Sequence, residues 1–147
     1  MVASAHKVNI KADIMFKQGS YNDADLLILP GGMPGASNLF QHKGVCKAIK
    51  NQLAAGKKVA SICAAPSVVL KDKKATCYPG FENGLKDAGA TYTGALVTVD
   101  GNITTAEGPA ASFPFAFELL SKLVNEATSN KVAEGMRYKH LMEANKH

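Results

Sequence analysis

The apolar positions of this chain fall into short runs separated by glycine and proline. Leu26–Leu29 is a continuous run ended by Pro30, Gly31 and Gly32. Continuity without alternation predicts a strand buried on both faces. Within Gly44–Lys58, the apolar residues Val45, Ala48, Ile49 and Leu53 recur at helical spacing, with Gly56 as the stop. Lys57–Ile62 reads as the next strand. Ala64–Leu70 begins a helix, with Pro66 in the first turn, where its missing N–H costs nothing. Lys73–Tyr78 is a further short strand. Gly80–Gly89 is a turn with a short helix or loop that Gly89 closes. Ala95–Ala106 holds two β-rich runs around Asp100-Gly101-Asn102, which predicts a hairpin. Pro109–Ala127 predicts one long helix with an apolar face of Phe113, Ala116, Phe117, Leu120 and Leu123, widened by Val124. Lys131–His147 adds a short helix.

Strands alternating with helices predict an α/β sandwich, a mostly parallel sheet with helices on both faces. A chain of 147 residues is expected to form a single domain, residues 1–147, with enough length for a proper core. In such folds binding sites gather at the carboxyl ends of the strands. Leu29–Gly35 and Ser61–Pro66 then share one edge of the sheet.

Charge and composition narrow the function classes. The formal net charge is +5, but the lysines are spread along the chain and only Lys71–Lys74 forms a cluster. Arg137 is the one arginine and there is no tryptophan. A phosphate-binding surface shows denser basic residues with interleaved aromatics, so a nucleic-acid partner is not expected. No apolar run approaches the roughly 20 residues that span a bilayer. The first residues show no charged region followed by an apolar one, and a cytoplasmic location is expected. Cys46, Cys63 and Cys77 make an odd count without Cys-x-x-Cys spacing, which argues against a disulfide framework or a structural metal. No metal and no cofactor are expected.

Cys63 is the residue with chemistry to explain. It stands where the strand Lys57–Ile62 hands over to a helix, as in a nucleophile elbow, although the sequence is Ser-Ile-Cys-Ala-Ala-Pro. Ala64 and Ala65 permit a sharp turn. The first N–H groups of a helix lack partners and favour negative charge, so they would stabilise a thiolate or an oxyanion there. The competing reading is a small apolar filler, since free cysteines are commonly buried. For Cys46, on a helix face, and Cys77, within a strand, the filler reading stands. Leu29–Gly35 (LPGGMPG) is either a plain tight turn or the second wall of a pocket beside Cys63. It lacks the lysine of a phosphate loop. His6, His42, His140 and His147 lie at no strand end and read as surface residues. Glu107 follows a strand and precedes Gly108-Pro109. Favourable charge at a helix start and a place at the same edge fit it equally.

Four segments, LPGGMPGASNL, VASICAAPSVVL, KATCYPGFE and TAEGPAASFPFAFELL, together and in this order resemble the ThiJ/PfpI family. The flavour is that of its bacterial ThiJ-type members. The resemblance runs from about Ala24 to Leu123 and implies a flavodoxin-like three-layer sandwich, usually a homodimer. It implies that Cys63 is the reactive cysteine and that the Gly32 and Ala64 N–H groups face its thiolate or an oxyanion. It also places Tyr78, Gly108 and Pro109 near the site, and Gly31 and Glu107 are expected to line the same pocket. Tyr78 stands where some members carry a histidine, which weakens a Cys–His pair. The family's first strand–helix unit, which supplies an acidic partner for the cysteine, has no counterpart here; the chain is expected to be incomplete at its N-terminus. The stretch after Cys63 is also short for a crossover between parallel strands, which needs about a dozen residues or more. Leu70 and Lys71 are therefore not expected to be true neighbours, with a gap in the sequence between them.

The resemblance implies a cofactor-free, cysteine-dependent enzyme acting on a small reactive carbonyl, glyoxalase- or deglycase-like. An oxidation-sensing or chaperone-like stress protein is the alternative. An amidase or peptidase ranks lower, because it needs a base near Cys63. An interaction module with an inert Cys63 is the remaining reading.

Overall fold

The computed structural model describes residues 1–4, 6–18, 21–65, 70 and 72–144. The chain divides into two compact units, Met1–Ala111 and Ser112–His147. In the first unit, β1 (Val2–Ala3) and β2 (Asn9–Ile10) form an exposed antiparallel pair. They are followed by β3 (Leu26–Leu29), α1 (Gly35–Gln41), α2 (Lys43–Ala54) and β4 (Lys58–Ile62). Then come β5 (Lys74–Ala75), α3 (Glu82–Asp87), β6 (Thr91–Tyr92), β7 (Val97–Asp100) and β8 (Ile103–Ala106). The second unit holds α4 (Ser112–Leu123), α5 (Glu126–Gly135) and α6 (Tyr138–Ala144).

The main sheet has the order β3-β4-β8-β7. β4 lies parallel to both β3 and β8, and β7 closes the far edge antiparallel to β8. The β7–β8 hairpin turns on Gly101 and Asn102 as expected. Gly101 has φ +61°, which suits the first position of a tight II′-type reversal. The mostly parallel sheet holds, but β3 is not covered as its run predicts. Among the described residues it is an edge strand, and Ile28 is 52% exposed. The predicted strand Lys73–Tyr78 shortens to β5, which pairs with β6 in a separate two-stranded sheet. Gly35–Gln41, for which the apolar pattern predicts no element, is the helix α1.

Helix α2 forms where the apolar spacing puts it. His42 caps its start, its Nδ1 accepting the Val45 N–H at 3.1 Å, and Gly56 (φ +72°) follows its end. The core of this region joins Leu29, Ala36, Ile49, Val59, Ala64 and Ala65. Ile49 is 2% exposed, a burial that contributes about 1.5–3 kcal/mol relative to an exposed side chain. Gln52, buried at the end of α2, donates through Nε2 to the carbonyls of Ala24 (3.0 Å) and Lys58 (3.3 Å), tying the helix to β3 and β4. A second cluster gathers Leu70, Ala75, Cys77, Leu85 and Ile103.

The expected single helix over Pro109–Ala127 is three pieces: a 3-10 turn at Pro109–Ala111, then α4, then α5. Asn125 makes the break. Its backbone is extended and its Oδ1 accepts the Thr128 N–H at 2.8 Å, so it caps α5 rather than continuing α4. The apolar face is also rotated from the expected one. Phe115 and Leu119 are buried, whereas Phe113 (45% exposed), Ala116, Leu123 and Val124 are exposed. Phe113 and Phe117 instead meet the Tyr138 ring of α6, at 5.8 and 5.0 Å between centroids. The tail forms α6, as expected. The predicted helix start at Pro66 and the expected gap at Leu70–Lys71 fall on Pro66–Val69 and Lys71, outside the described residues.

Candidate active site

Strand β4 ends at Ile62 and the chain turns sharply at Cys63. Cys63 has φ +66°, in the left-handed region that non-glycine residues rarely occupy. Such strain persists only where the surroundings over-determine it. Two hydrogen bonds hold the turn. The Cys63 N–H donates to the Ala106 carbonyl at the end of β8 (2.9 Å), and its own carbonyl accepts the Tyr78 N–H (3.0 Å). The Ala65 N–H closes the turn on the Ile62 carbonyl (3.3 Å). The strand end and the sharp turn expected from sequence are present; the helix expected to follow falls on residues outside the described ones.

Gly31 is its seat. A Cβ at that position would lie 2.5 Å from Cys63 Cβ, 2.8 Å from the Ile62 oxygen and 3.2 Å from Cys63 Sγ. Only glycine lets the loop after β3 come this close. Gly32 follows with φ +89° and open space around it. Among the described residues, no backbone acceptor takes the Gly32 or the Ala64 N–H. Cys63 is half-buried and packs against the Leu29–Ile49 cluster. It is neither sealed in the core nor fully open.

Two hollows are lined by residues next to Cys63: Tyr78, hydrogen-bonded to its carbonyl, lines one, and Ala64 the other. One, of about 280 Å³, is lined by Tyr78, Leu96, Glu107, Gly108 and Pro109 among others. Four of the five sequence-expected pocket residues therefore share one wall, while Gly31 lies against Cys63 itself. The second, of about 160 Å³, is lined by Ala64 together with Met33, Ser37, Phe40 and Phe81 among others. Met33 and Phe81 lie inside two of the motif segments, but the sequence names neither of them, nor Leu96, as a lining residue, because an apolar side chain carries no chemical signal of its own. Gly108 sits under the Tyr78 ring, where a Cβ would come within 2.9 Å of it. The Glu107 N–H donates to the Leu96 carbonyl, which holds this carboxylate's backbone in the hollow's rim.

The other cysteines differ. Cys77 is 1% exposed, and burial first, then the negative charges of Glu82 and Cys63, push its thiol up to about 11. It stays protonated and inert at neutral pH. Cys46 Sγ lies 3.1 Å from the Phe40 carbonyl. Beyond Cys77, the Gly80 N–H donates to both Glu82 oxygens (2.9 and 3.0 Å), which holds that carboxyl below its ordinary range. His6, His42 and His140 are exposed, as expected; His147 lies outside the described residues. Among the described residues, no group of three His, Cys, Asp or Glu side chains could hold a metal ion. No helix among them is long and apolar enough to cross a membrane.

A parallel sheet with a strained cysteine at the end of a central strand defines an elbow-type member of the flavodoxin-like α/β class. The chain belongs to the DJ-1/PfpI family, whose pattern matches residues 1–122. It is 34% identical to DJ-1 homolog B of Arabidopsis thaliana over 82% of this chain and 28% of that protein. It is 32% identical to a deglycase of Pyrococcus horikoshii, over 83% of this chain and 76% of that one. To a glutathione-independent glyoxalase of Caenorhabditis elegans it is 27% identical, over 89% and 72% of the two chains. The crystal structure of DJ-1beta from Drosophila melanogaster superposes with a TM-score of 0.87 at 29% identity, covering 92% of this chain and 75% of that one. The chain thus spans under a third of the Arabidopsis relative and about three quarters of the others.

Proposed function

We propose that Cys63 is the nucleophile of a cofactor-free reaction on small reactive carbonyls, of the glyoxalase or deglycase kind. The observation that carries this reading is the left-handed Cys63 elbow seated on Gly31. Relatives named as a deglycase and a glyoxalase support the substrate class. The thiolate adds to the aldehyde carbon of a methylglyoxal-like substrate, and the carbonyl electron pair moves to oxygen. The Gly32 and Ala64 N–H groups, unclaimed by other backbone acceptors among the described residues, receive that oxyanion. The protonated oxyanion is a hemithioacetal. Glu107 is the carboxylate in the Tyr78 hollow and the candidate for moving a proton there. The reading includes a homodimer in the cytoplasm, and light scattering at monomer mass would remove the first part.

The test is turnover of methylglyoxal to lactate by the full-length protein. Loss in Cys63→Ala supports the reading, and unchanged turnover in that variant refutes it. If the parent shows no turnover but mild peroxide oxidises Cys63 selectively, the oxidation-sensing alternative takes its place.

A further inference from the structure

Strand β5 covers Lys74–Ala75, and from Lys74 to Tyr78 every second N–H group donates away from β6. On that edge the Lys74 N–H donates to Asp100 Oδ2 (2.8 Å) and the Thr76 N–H to Thr105 Oγ1 (2.9 Å). The Tyr78 N–H donates to the Cys63 carbonyl (3.0 Å). Ordinary backbone pairing occupies the other edge, where the Thr91 and Thr93 N–H groups donate to the carbonyls of Lys73 and Ala75. The small β5–β6 sheet is therefore pinned to the β7–β8 hairpin by side-chain acceptors, and the last pin of the series is the elbow itself.

Thr105 is the middle pin. It is fully buried in β8, in register with Ser61 of β4 on one side and Thr98 of β7 on the other. Both neighbours fix its place, so its hydroxyl is a rigid anchor. We propose that Thr105 is a positioning residue for Cys63: its hydroxyl anchors Thr76, and the strap from Thr76 to Tyr78 then holds the Cys63 carbonyl and the left-handed turn. Without that acceptor, the Thr76 N–H is buried and unpaired, and the strap detaches to find a partner. Cys63 then relaxes from φ +66° toward the Leu29–Ile49 cluster it already packs against, and its thiol is presented less well. The adjacent hydroxyl supplies a control. Thr76 is fully buried too, yet its Oγ1 has no hydrogen-bond partner among the described residues. Removing it leaves the N–H bond to Thr105 in place.

The proposal concerns the same Cys63 as the proposed function. Alkylation and amide exchange read it without turnover, so the two ideas fail separately. Iodoacetamide labelling of Cys63 is followed by peptide mass spectrometry, and exchange of the Thr76 and Tyr78 amides by NMR. Thr105→Val is expected to slow Cys63 labelling by about fivefold or more, the effect of one lost hydrogen bond, and to speed Tyr78 exchange by at least about as much. Thr105→Ser restores the acceptor and both readouts, and Thr76→Val moves neither. If Thr105→Val exposes the Thr76 amide while Tyr78 exchange and Cys63 labelling stay near the parent's, Thr105 is merely structural and the proposal falls. Should Thr105→Val not fold, the parent decides. Thr76 and Tyr78 amides opening together, within about tenfold in rate, support the strap; a larger gap overturns it.

Discussion

Substituting alanine for Gly31 tests the seat of the elbow most directly. The added Cβ would lie 2.5 Å from Cys63 Cβ and 2.8 Å from the Ile62 carbonyl oxygen, against about 3.5–4.0 Å for an ordinary carbon contact. Neither neighbour can swing aside: one is the root of a side chain, the other is backbone held in β4. The loop after β3 or the elbow must move by about 1 Å, and overpacking of that kind costs about 1–3 kcal/mol. For a chain of this length, each kcal/mol lowers the melting temperature by about 2–4 °C, so Gly31→Ala should melt about 2–12 °C below the parent. The same methyl would sit 3.2 Å from Cys63 Sγ and shield it, so iodoacetamide labelling of Cys63 should slow. Two neighbours calibrate the result. Gly35 begins α1 with nothing within 4 Å of an added Cβ, so Gly35→Ala should be neutral or stabilising by up to about 1 kcal/mol. Gly32 is also open, but its φ of +89° makes Gly32→Ala cost about 1–2 kcal/mol through the backbone alone, without crowding the thiol. A Gly31→Ala protein that melts with the parent and labels at the same rate would refute the close approach on which the site rests.

Cys77 should resist iodoacetamide in the native protein at pH 8 and label only after unfolding. Its folded thiol ionises near 11 against an ordinary 9.0, so its contribution to stability is complete below pH 9 and is lost as pH rises through 11. Denaturant melts of parent and Cys77→Ala across that window should converge; parallel curves would contradict the shift. Asn125→Ala removes the cap that accepts the Thr128 N–H and should cost about 0.5–2 kcal/mol, while Asn125→Asp retains the acceptor. Equal melting of the two variants would show that the cap contributes nothing. Ile49→Ala, at a position 2% exposed, should lower stability by about 2–5 kcal/mol in urea unfolding, and a loss under 1 kcal/mol would mean that the core there is loosely packed.

Much of this architecture was readable along the chain because its causes are local. The spacing of Val45, Ile49 and Leu53 is enough for α2, the Asp-Gly-Asn triplet for the β7–β8 reversal, and a cysteine between a strand and small residues for the elbow. Four ordered motifs carried the family. What failed was what depends on neighbours distant in sequence. The Leu26–Leu29 run is apolar enough for a covered strand, but whether Ile28 is covered depends on what packs against its face of the sheet. The α4 face was misjudged because an apolar residue on a helix does not say which partner it will meet: Phe115 and Leu119 are buried, and Phe113 turns to Tyr138.

The residue types alone determined that a strand, a tight turn and a thiol would coincide at Cys63, since periodicity and steric size act within a few residues of one another. Tertiary structure alone decided how that turn is held. Gly31 must meet Cys63 across a gap of 32 residues, and Thr105 must reach Thr76 across 29, and no local rule encodes either meeting. Such contacts exist only once the parallel sheet has set its register, because register fixes which side chains share a face and how near two loops can come.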